Sequence, residues 1–210
     1  LVVHHYRRVC IIHRDPAGVD VSDGQVVAAT VTHHVHTTAT DQKRAVLTHL
    51  LTEEAASQAL VFCKTKRGSD RVGDHLERAG IKAAVIHGNK SQGARTRALG
   101  DFKAGRVNVL VATDIAARGL DIAQLPLVIN YDLPLVAEDY IHRVGRTGRA
   151  GRRGRAVSLV SSSESHLLRD IQRLLPEPLE RVVVKGFDAT NAPRSTHRPD
   201  RSRDRSPHPR

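Results

Sequence analysis

The sequence predicts an α/β fold, a doubly wound parallel sheet with helices on both faces. Three observations carry that reading. Short apolar runs recur along the chain: LVFC (60–63), AAVI (83–86), VNVLVA (107–112), LVINY (127–131) and RAVSLV (155–160). Helix-periodic polar segments alternate with most of them, as crossovers between parallel strands require. The helical segments carry their own start and stop residues. With 210 residues and 40% hydrophobic content, the chain suits one domain with a real core and some appendages.

The elements follow in order. Residues 1–30 are mixed: LVVHHYRRVCII is apolar and basic, and DPAGVDVSDG reads as a loop. VTHHVH (31–36) alternates like an edge strand, with His34 and His36 on one face and His33 on the other. No Cys or carboxylate cluster joins these histidines, so the expectation is a solvated strand, and no metal is assigned. A helix over 41–54 is capped by Thr40 or Asp41, with Ala45, Leu47, Leu50 and Leu51 as apolar points. Asp70 is the expected cap of a helix over 70–79, with Val72, Leu76 and Ala79 as its stripe and Gly80 as its stop. A second helix, 91–104, runs from the cap Ser91 to Gly105, and a third covers 136–144. The last, 161–175, opens on the capping box Ser161-x-x-Glu164. From about residue 190 the hydrophobic pattern ends, and NAPRSTHRPDRSRDRSPHPR reads as a disordered basic tail. Such a tail adds weak, salt-sensitive nucleic-acid affinity or serves only solubility.

Net charge is +11 and the pI about 10.4, which points to an anionic partner, usually nucleic acid. Arg outnumbers Lys 26 to 7. Arg forks fit phosphate oxygens in pairs, although a biased genomic composition produces the same ratio. Only six aromatics occur and Trp is absent, so contacts are expected to the nucleic-acid backbone rather than to stacked bases. Cys10 and Cys63 read as buried reduced thiols of a cytosolic protein, so the expected location is cytoplasmic. No apolar stretch nears 18 residues and no signal peptide is evident, so no membrane partner is expected. The chain begins with Leu and contains no Met, and a fragment or a trimmed start is the expectation.

Four loops carry the chemistry, and in sheets of this kind function gathers at the C-terminal ends of strands. Residues 142–155, HRVGRTGRAGRRGR, hold six Arg and four Gly. Each Gly in a helix interior costs about 1 kcal/mol relative to Ala, so no helix runs through the tract. DYIHRV leads in and RAVSLV leaves as a strand, so the arginines belong to a connection between packed elements, and the glycines let backbone approach an anion. In VATDIAARGLDIAQL (111–125), Thr113 offers a hydroxyl to a phosphate, and Arg118-Gly119-x-Asp121 sets a cation beside a carboxylate suited to a ribose. A helix cap plus a local ion pair explains the same spacing. In IHGNKSQGAR (86–95), Ser91 opens a helix with Gln92 and Arg95 on one face, and helix N-termini attract phosphate. An ordinary capped helix reads identically. VFCKTKRGSD (61–70) opens into a basic loop with Thr65, Lys66 and Arg67. No G-x-x-x-x-G-K-[ST] and no acidic tetrad after a strand occur, so the chain has arginines for a phosphoryl group but nothing to cradle a nucleotide or seat Mg²⁺. By this reading it is half of a site.

ATDIAARGLDI together with YIHRVGRTGRAGR resembles motifs V and VI of DEAD-box RNA helicases. LVFCKTKRGSD resembles motif IV, HG…SQGAR the segment after it, and order and spacing match over 60–160. The resemblance covers roughly 30–185, the second, RecA-like domain; 1–30 resembles the end of the first domain with its linker, and 186–210 is the tail. It implies an ATP-dependent RNA helicase whose missing first domain holds the phosphate loop and Mg²⁺. It implies Arg146 and Arg149 as arginine fingers, with His142 and Arg143 coupling the two domains. It also implies nucleotide contacts from Asp121, Arg118, Arg143, Arg146, Arg149 and Gly119, and RNA contacts from Thr113, Gly88, Gln92, Arg95 and Thr65. The implied partners of this monomer are RNA and the N-terminal RecA-like domain of the same protein. A stand-alone RNA-binding module and a DNA translocase of the same superfamily are the rival readings.

Overall fold

The computed structural model describes residues 30–53, 58–122, 124–148, 152–184 and 187. The readings of 1–29, Cys10 included, and of the tail beyond Phe187 fall outside these residues.

The chain runs β1 (Val31–Thr37), α1 (Lys43–Glu53), β2 (Ala59–Phe62), α2 (Lys66–Arg78), β3 (Ala83–Ile86), α3 (Gln92–Lys103) and β4 (Val109–Ala112). It continues through α4 (Asp114–Ala117), β5 (Leu127–Asn130), α5 (Ala137–Val144), β6 (Gly154–Val160), a 3₁₀ turn (Ser162–Glu164), α6 (Ser165–Leu174) and β7 (Glu180–Arg181). The strands form one sheet in the order β3-β4-β2-β5-β6-β1-β7, with every pairing parallel. The doubly wound parallel fold is therefore present.

Every residue of β2, β4 and β5 is buried, which is why these strands read as apolar runs, with Asn130 at the end of β5 the one polar member. Alternate residues feed two core layers. On one face Leu47, Leu50 and Leu51 of α1 and Val72 and Leu76 of α2 meet Val61, Val111 and Ile129. On the other, Phe102 of α3 and Ala116 of α4 cover Leu60, Leu110 and Val128, while Tyr140 and Val144 of α5 and Ile171 of α6 cover Ala156 and Val160. Phe187, past the expected domain boundary, packs on the first layer with its ring 5.6 Å from that of His49.

Three expectations are corrected. The strand at 31–36 is not an edge: β7 pairs with it outside β6, through a segment too short to show a strand pattern. Nor is it solvated, because His36 is buried with Nδ1 2.8 Å from the Val182 carbonyl, and His33 bonds the Tyr140 hydroxyl at 2.8 Å. Burial lowers the pKa of both imidazoles. Third, α2 starts four residues before the expected 70, because Thr65 caps it by accepting the Gly68 N–H at 3.0 Å. Asp70 lies inside the helix and faces His87 instead.

The capping box at Ser161 is formed in full and extends into the core. Glu164 accepts the Ser161 N–H at 2.8 Å and the Leu133 N–H at 3.2 Å, and meets the buried Lys43 ammonium at 2.5 Å. Lys43 also donates to the Tyr131 carbonyl at 2.9 Å. Burial pushes the Glu164 carboxyl up, but the Lys43 and Ser161 bonds outweigh it and hold the pKa below the ordinary 4.5. A depressed folded-state value adds stability that is complete above the unfolded value and lost as pH falls through the folded one. Urea unfolding of Glu164→Gln at neutral pH is expected to show a loss of about 1–3 kcal/mol. The deficit should shrink below pH 4.5, and a constant deficit down to pH 3 would deny Glu164 this role.

Candidate nucleotide and RNA interface

At the end of β4 the chain turns through Thr113, 8% exposed, into α4. Asp114 does not cap that turn. It takes both oxygens to Arg143 of α5, receiving Nε at 2.6 Å and Nη2 at 2.7 Å. The Nη1 of Arg143 donates to Asn130 Oδ1 at 3.0 Å and to the Asp132 carbonyl at 2.7 Å, and its guanidinium lies 4.9 Å from the Phe62 ring centre. At 2% exposure, Arg143 spends its donors inside the domain. The contacts observed for it are therefore structural and tie β4, β5 and α5 together. Asn130 and Asp132 escape a reading of motifs, since one sits in an apolar strand and the other takes part through its carbonyl.

Arg146, one turn further along, projects over the loop that follows α4. Its Nη1 donates to the carbonyls of Leu120 at 2.9 Å and Ile122 at 3.3 Å, and its Nη2 to that of Ala117 at 3.4 Å. The Leu120 and Ile122 carbonyls flank Asp121, so the arginine and the carboxylate belong to one small unit. The loop turns at Gly119, whose φ of +73° suits Gly. The ion pair foreseen between Arg118 and Asp121 is replaced by two others. Arg118 meets Asp139 of α5 at 2.7 Å, and Asp121, 94% exposed, meets Lys103 at the end of α3 at 2.7 Å. The Lys103 hydrogen bond lowers the Asp121 pKa. Arg118, Asp139, His142 and Arg146 line one cleft with Phe62 at its floor. His142 is exposed there.

The cleft opens at the strand tips, where Phe62 ends β2, Asp114 follows β4 and Arg143 reaches Asn130 at the end of β5, and the Arg146 unit extends from it. Helix α3 leaves the C-terminal end of β3, so its last residue Lys103, and Asp121 with it, lies toward the opposite end of the sheet. Leu125, just ahead of β5, bridges Thr147. The Arg146 unit thus lies over the face covered by α3, α4 and α5. Arg149 falls outside the described residues, but the described ends of its loop are fixed. The hydroxyl of Thr147 donates to the Leu125 carbonyl, Gly154 N–H to that of Thr30 at 3.0 Å, and Gly148 turns at φ +64°. A Cβ on Gly148 would collide with Val31, and one on Gly154 with Thr147, so these two glycines of the tract are packing requirements.

The remaining candidates also gather at the strand tips. Thr113 follows the end of β4, Thr65 that of β2, and Gly88 that of β3, with β2 and β3 both pairing with β4. Thr65 and Gly88 are exposed. Thr65 Oγ1 is engaged as the α2 cap. Ser91 caps α3 as expected, accepting the Ala94 N–H at 3.3 Å. Arg95 Nη1 donates to Gln92 Oε1 at 3.3 Å, while its buried Nε meets no acceptor. Among the described residues no group of three or more His, Cys, Asp or Glu could hold a metal ion. No described helix is long and apolar enough to cross a membrane.

Comparison with known proteins agrees with this geometry. Residues 42–151 match the family model described as helicase conserved C-terminal domain. DEAD-box ATP-dependent RNA helicase 14 of Arabidopsis thaliana is 41% identical over 171 residues, covering 80% of this chain and 28% of the relative. The chain spans about a quarter of the length of the curated relatives it matches. Among solved structures, the E. coli DEAD-box protein SrmB bound to regulator of ribonuclease activity A (RraA) superposes with a TM-score of 0.73 at 38% identity, covering 78% of this chain and 97% of that one. S. cerevisiae Dbp5 bound to RNA and ADP BeF3 gives 0.68 at 32% identity over 73% of this chain and 42% of that one. The chain belongs to the helicase conserved C-terminal domain family, as a C-terminal RecA-like domain of the DEAD-box type.

Proposed function

We propose that the chain is the C-terminal half of an ATP-dependent RNA helicase that closes on a first RecA-like domain of the same protein. One observation carries the reading: Arg146 is held at a loop bearing an exposed carboxylate, beside Arg118 and His142, in a chain with no phosphate loop of its own. Two guanidiniums and an exposed imidazole fit an anionic, phosphate-rich group, and Asp121 fits a ribose hydroxyl. Bound ATP supplies the phosphoanhydride whose cleavage resets the cycle, with Mg²⁺ and the phosphate cradle belonging to the first domain. In this reading Arg146 and Arg149 donate to the terminal phosphate, and His142 faces the partner domain. Arg143 holds α5 in place rather than touching the nucleotide. Thr113, Gly88, Gln92, Arg95 and Thr65 form the RNA-backbone surface. The protein works as a cytoplasmic monomer, where a thiol such as the free Cys63 stays reduced.

The test joins the chain to a DEAD-box first domain in one polypeptide. RNA-stimulated ATP hydrolysis and unwinding of a short RNA duplex are expected from the fusion and absent from either half. Unwinding of DNA but not RNA would favour the translocase, and a fusion that binds RNA without hydrolysing ATP would favour the binding module.

A further inference from the structure

His87 ends β3 with its side chain only 4% exposed, and both ring nitrogens are committed. Nδ1 accepts the Asn89 N–H at 3.2 Å, which requires a lone pair there and leaves the proton on Nε2. That Nε2–H faces the Asp70 carboxylate of α2, 3.0 Å and 2.9 Å from its two oxygens. Asp70 also meets the Lys90 ammonium at 2.9 Å. Burial raises the Asp70 pKa, but the His87 and Lys90 bonds prevail and the net shift is downward. Lys66 closes the group from the start of α2, donating to Asn89 Oδ1 at 2.6 Å, while a Cβ built on Gly88 would lie 3.5 Å from its Cε.

The imidazole is thus a rigid strut between two segments that share no backbone hydrogen bond. One is the start of α2 with Thr65 and Lys66; the other is the turn with Gly88 and Lys90 that feeds Ser91, Gln92 and Arg95. We propose that Asp70 and His87 are positioning residues that hold these two arms side by side to receive neighbouring phosphates of single-stranded RNA. The inference rests on the RNA-binding reading above. Neither residue needs to touch RNA: His87 is buried, and Asp70 offers a charge that would repel a phosphate were it not bound to His87 and Lys90.

Two substitutions of His87 separate the strut from the turn. Asn places an acceptor near Nδ1 but cannot reach Asp70; Gln reaches Asp70 with an N–H but offers nothing to Asn89. Binding of a fluorescein-labelled ten-nucleotide oligouridylate to the full chain is measured between 25 and 150 mM salt, with thermal unfolding recorded beside it. For His87→Asn the affinity is expected to fall about tenfold while the protein stays folded. The slope of log Kd against log salt should shrink by about 0.7–1.4, the loss of one or two phosphate contacts on a single strand. His87→Gln should stay within about threefold of wild type. Equal losses in the two variants, wild-type affinity in both, or an unchanged salt slope in His87→Asn would overturn the positioning role and leave RNA binding standing. A wild-type chain that ignores the oligonucleotide refutes the RNA reading itself, and the positioning role with it.

Discussion

Replacing Arg143 by Ala is expected to destabilise the domain by about 3–5 kcal/mol, the cost of removing one partner of a buried ion pair. The guanidinium is 2% exposed and makes four hydrogen bonds, two of them to Asp114. Its loss leaves the Asp114 carboxylate, Asn130 Oδ1 and the Asp132 carbonyl short of a donor, and it also removes the plane that covers Phe62. Desolvated acceptors left unpaired cost more than the hydrogen bonds themselves contribute. Arg143→Lys should recover only part of the loss, because an ammonium cannot span both Asp114 oxygens and also reach Asn130. Urea unfolding of the two variants, with Asp114→Asn and the double variant to close a cycle, measures the coupling. A loss under 1 kcal/mol for Arg143→Ala would show that the network does not hold α5 to the sheet.

Much of this architecture was legible in the sequence, for a physical reason. Parallel strands buried on both faces are apolar at nearly every position, Asn130 at the end of β5 being the polar exception, so β2, β4 and β5 announce themselves without neighbours. Caps are local too, and Ser91 and Ser161 cap where the sequence says they should. What the sequence hid depends on distant partners. Thr65 and Asp70 are both competent helix caps; the choice of Thr65 follows from His87, seventeen residues beyond Asp70, which claims that carboxylate. The burial of His36 depends on Val182, and β7 is visible only as a two-residue pairing with β1. The same holds at the site. The spacing Arg118-Gly119-x-Asp121 suggests a local pair, yet each residue finds a partner on another helix, Asp139 and Lys103. Motif VI lines up its arginines at equal steps, but one step apart they differ completely: Arg143 is sealed in the interior, and Arg146 lies along the Asp121 loop. Sequence periodicity could not separate them, because the difference is set by which acceptors the sheet brings to each.

That difference makes Arg146 the residue on which the proposed chemistry turns. Its acceptors include three neutral carbonyls at 2.9–3.4 Å, and a phosphate oxygen bearing charge is a stronger acceptor than a carbonyl. Arg146 follows closely on the end of α5, itself fixed through Arg143, and this limits how far its head must travel. Cationic fingers of this kind contribute about 10³–10⁵ in rate to related phosphoryl transfers by neutralising charge that builds up only in the transition state. Since the gain is specific to the transition state, ground-state nucleotide affinity should depend on Arg146 weakly.

The decisive measurement is RNA-stimulated ATP turnover beside nucleotide affinity in the joined two-domain polypeptide, for wild type and Arg146→Ala. Turnover is expected to fall by about 10³-fold or more while affinity for ATP changes less than about threefold. Turnover within tenfold of wild type, or loss of ATP binding in step with turnover, would contradict the assignment of Arg146 to the terminal phosphate, and with it the half-site this domain is proposed to supply.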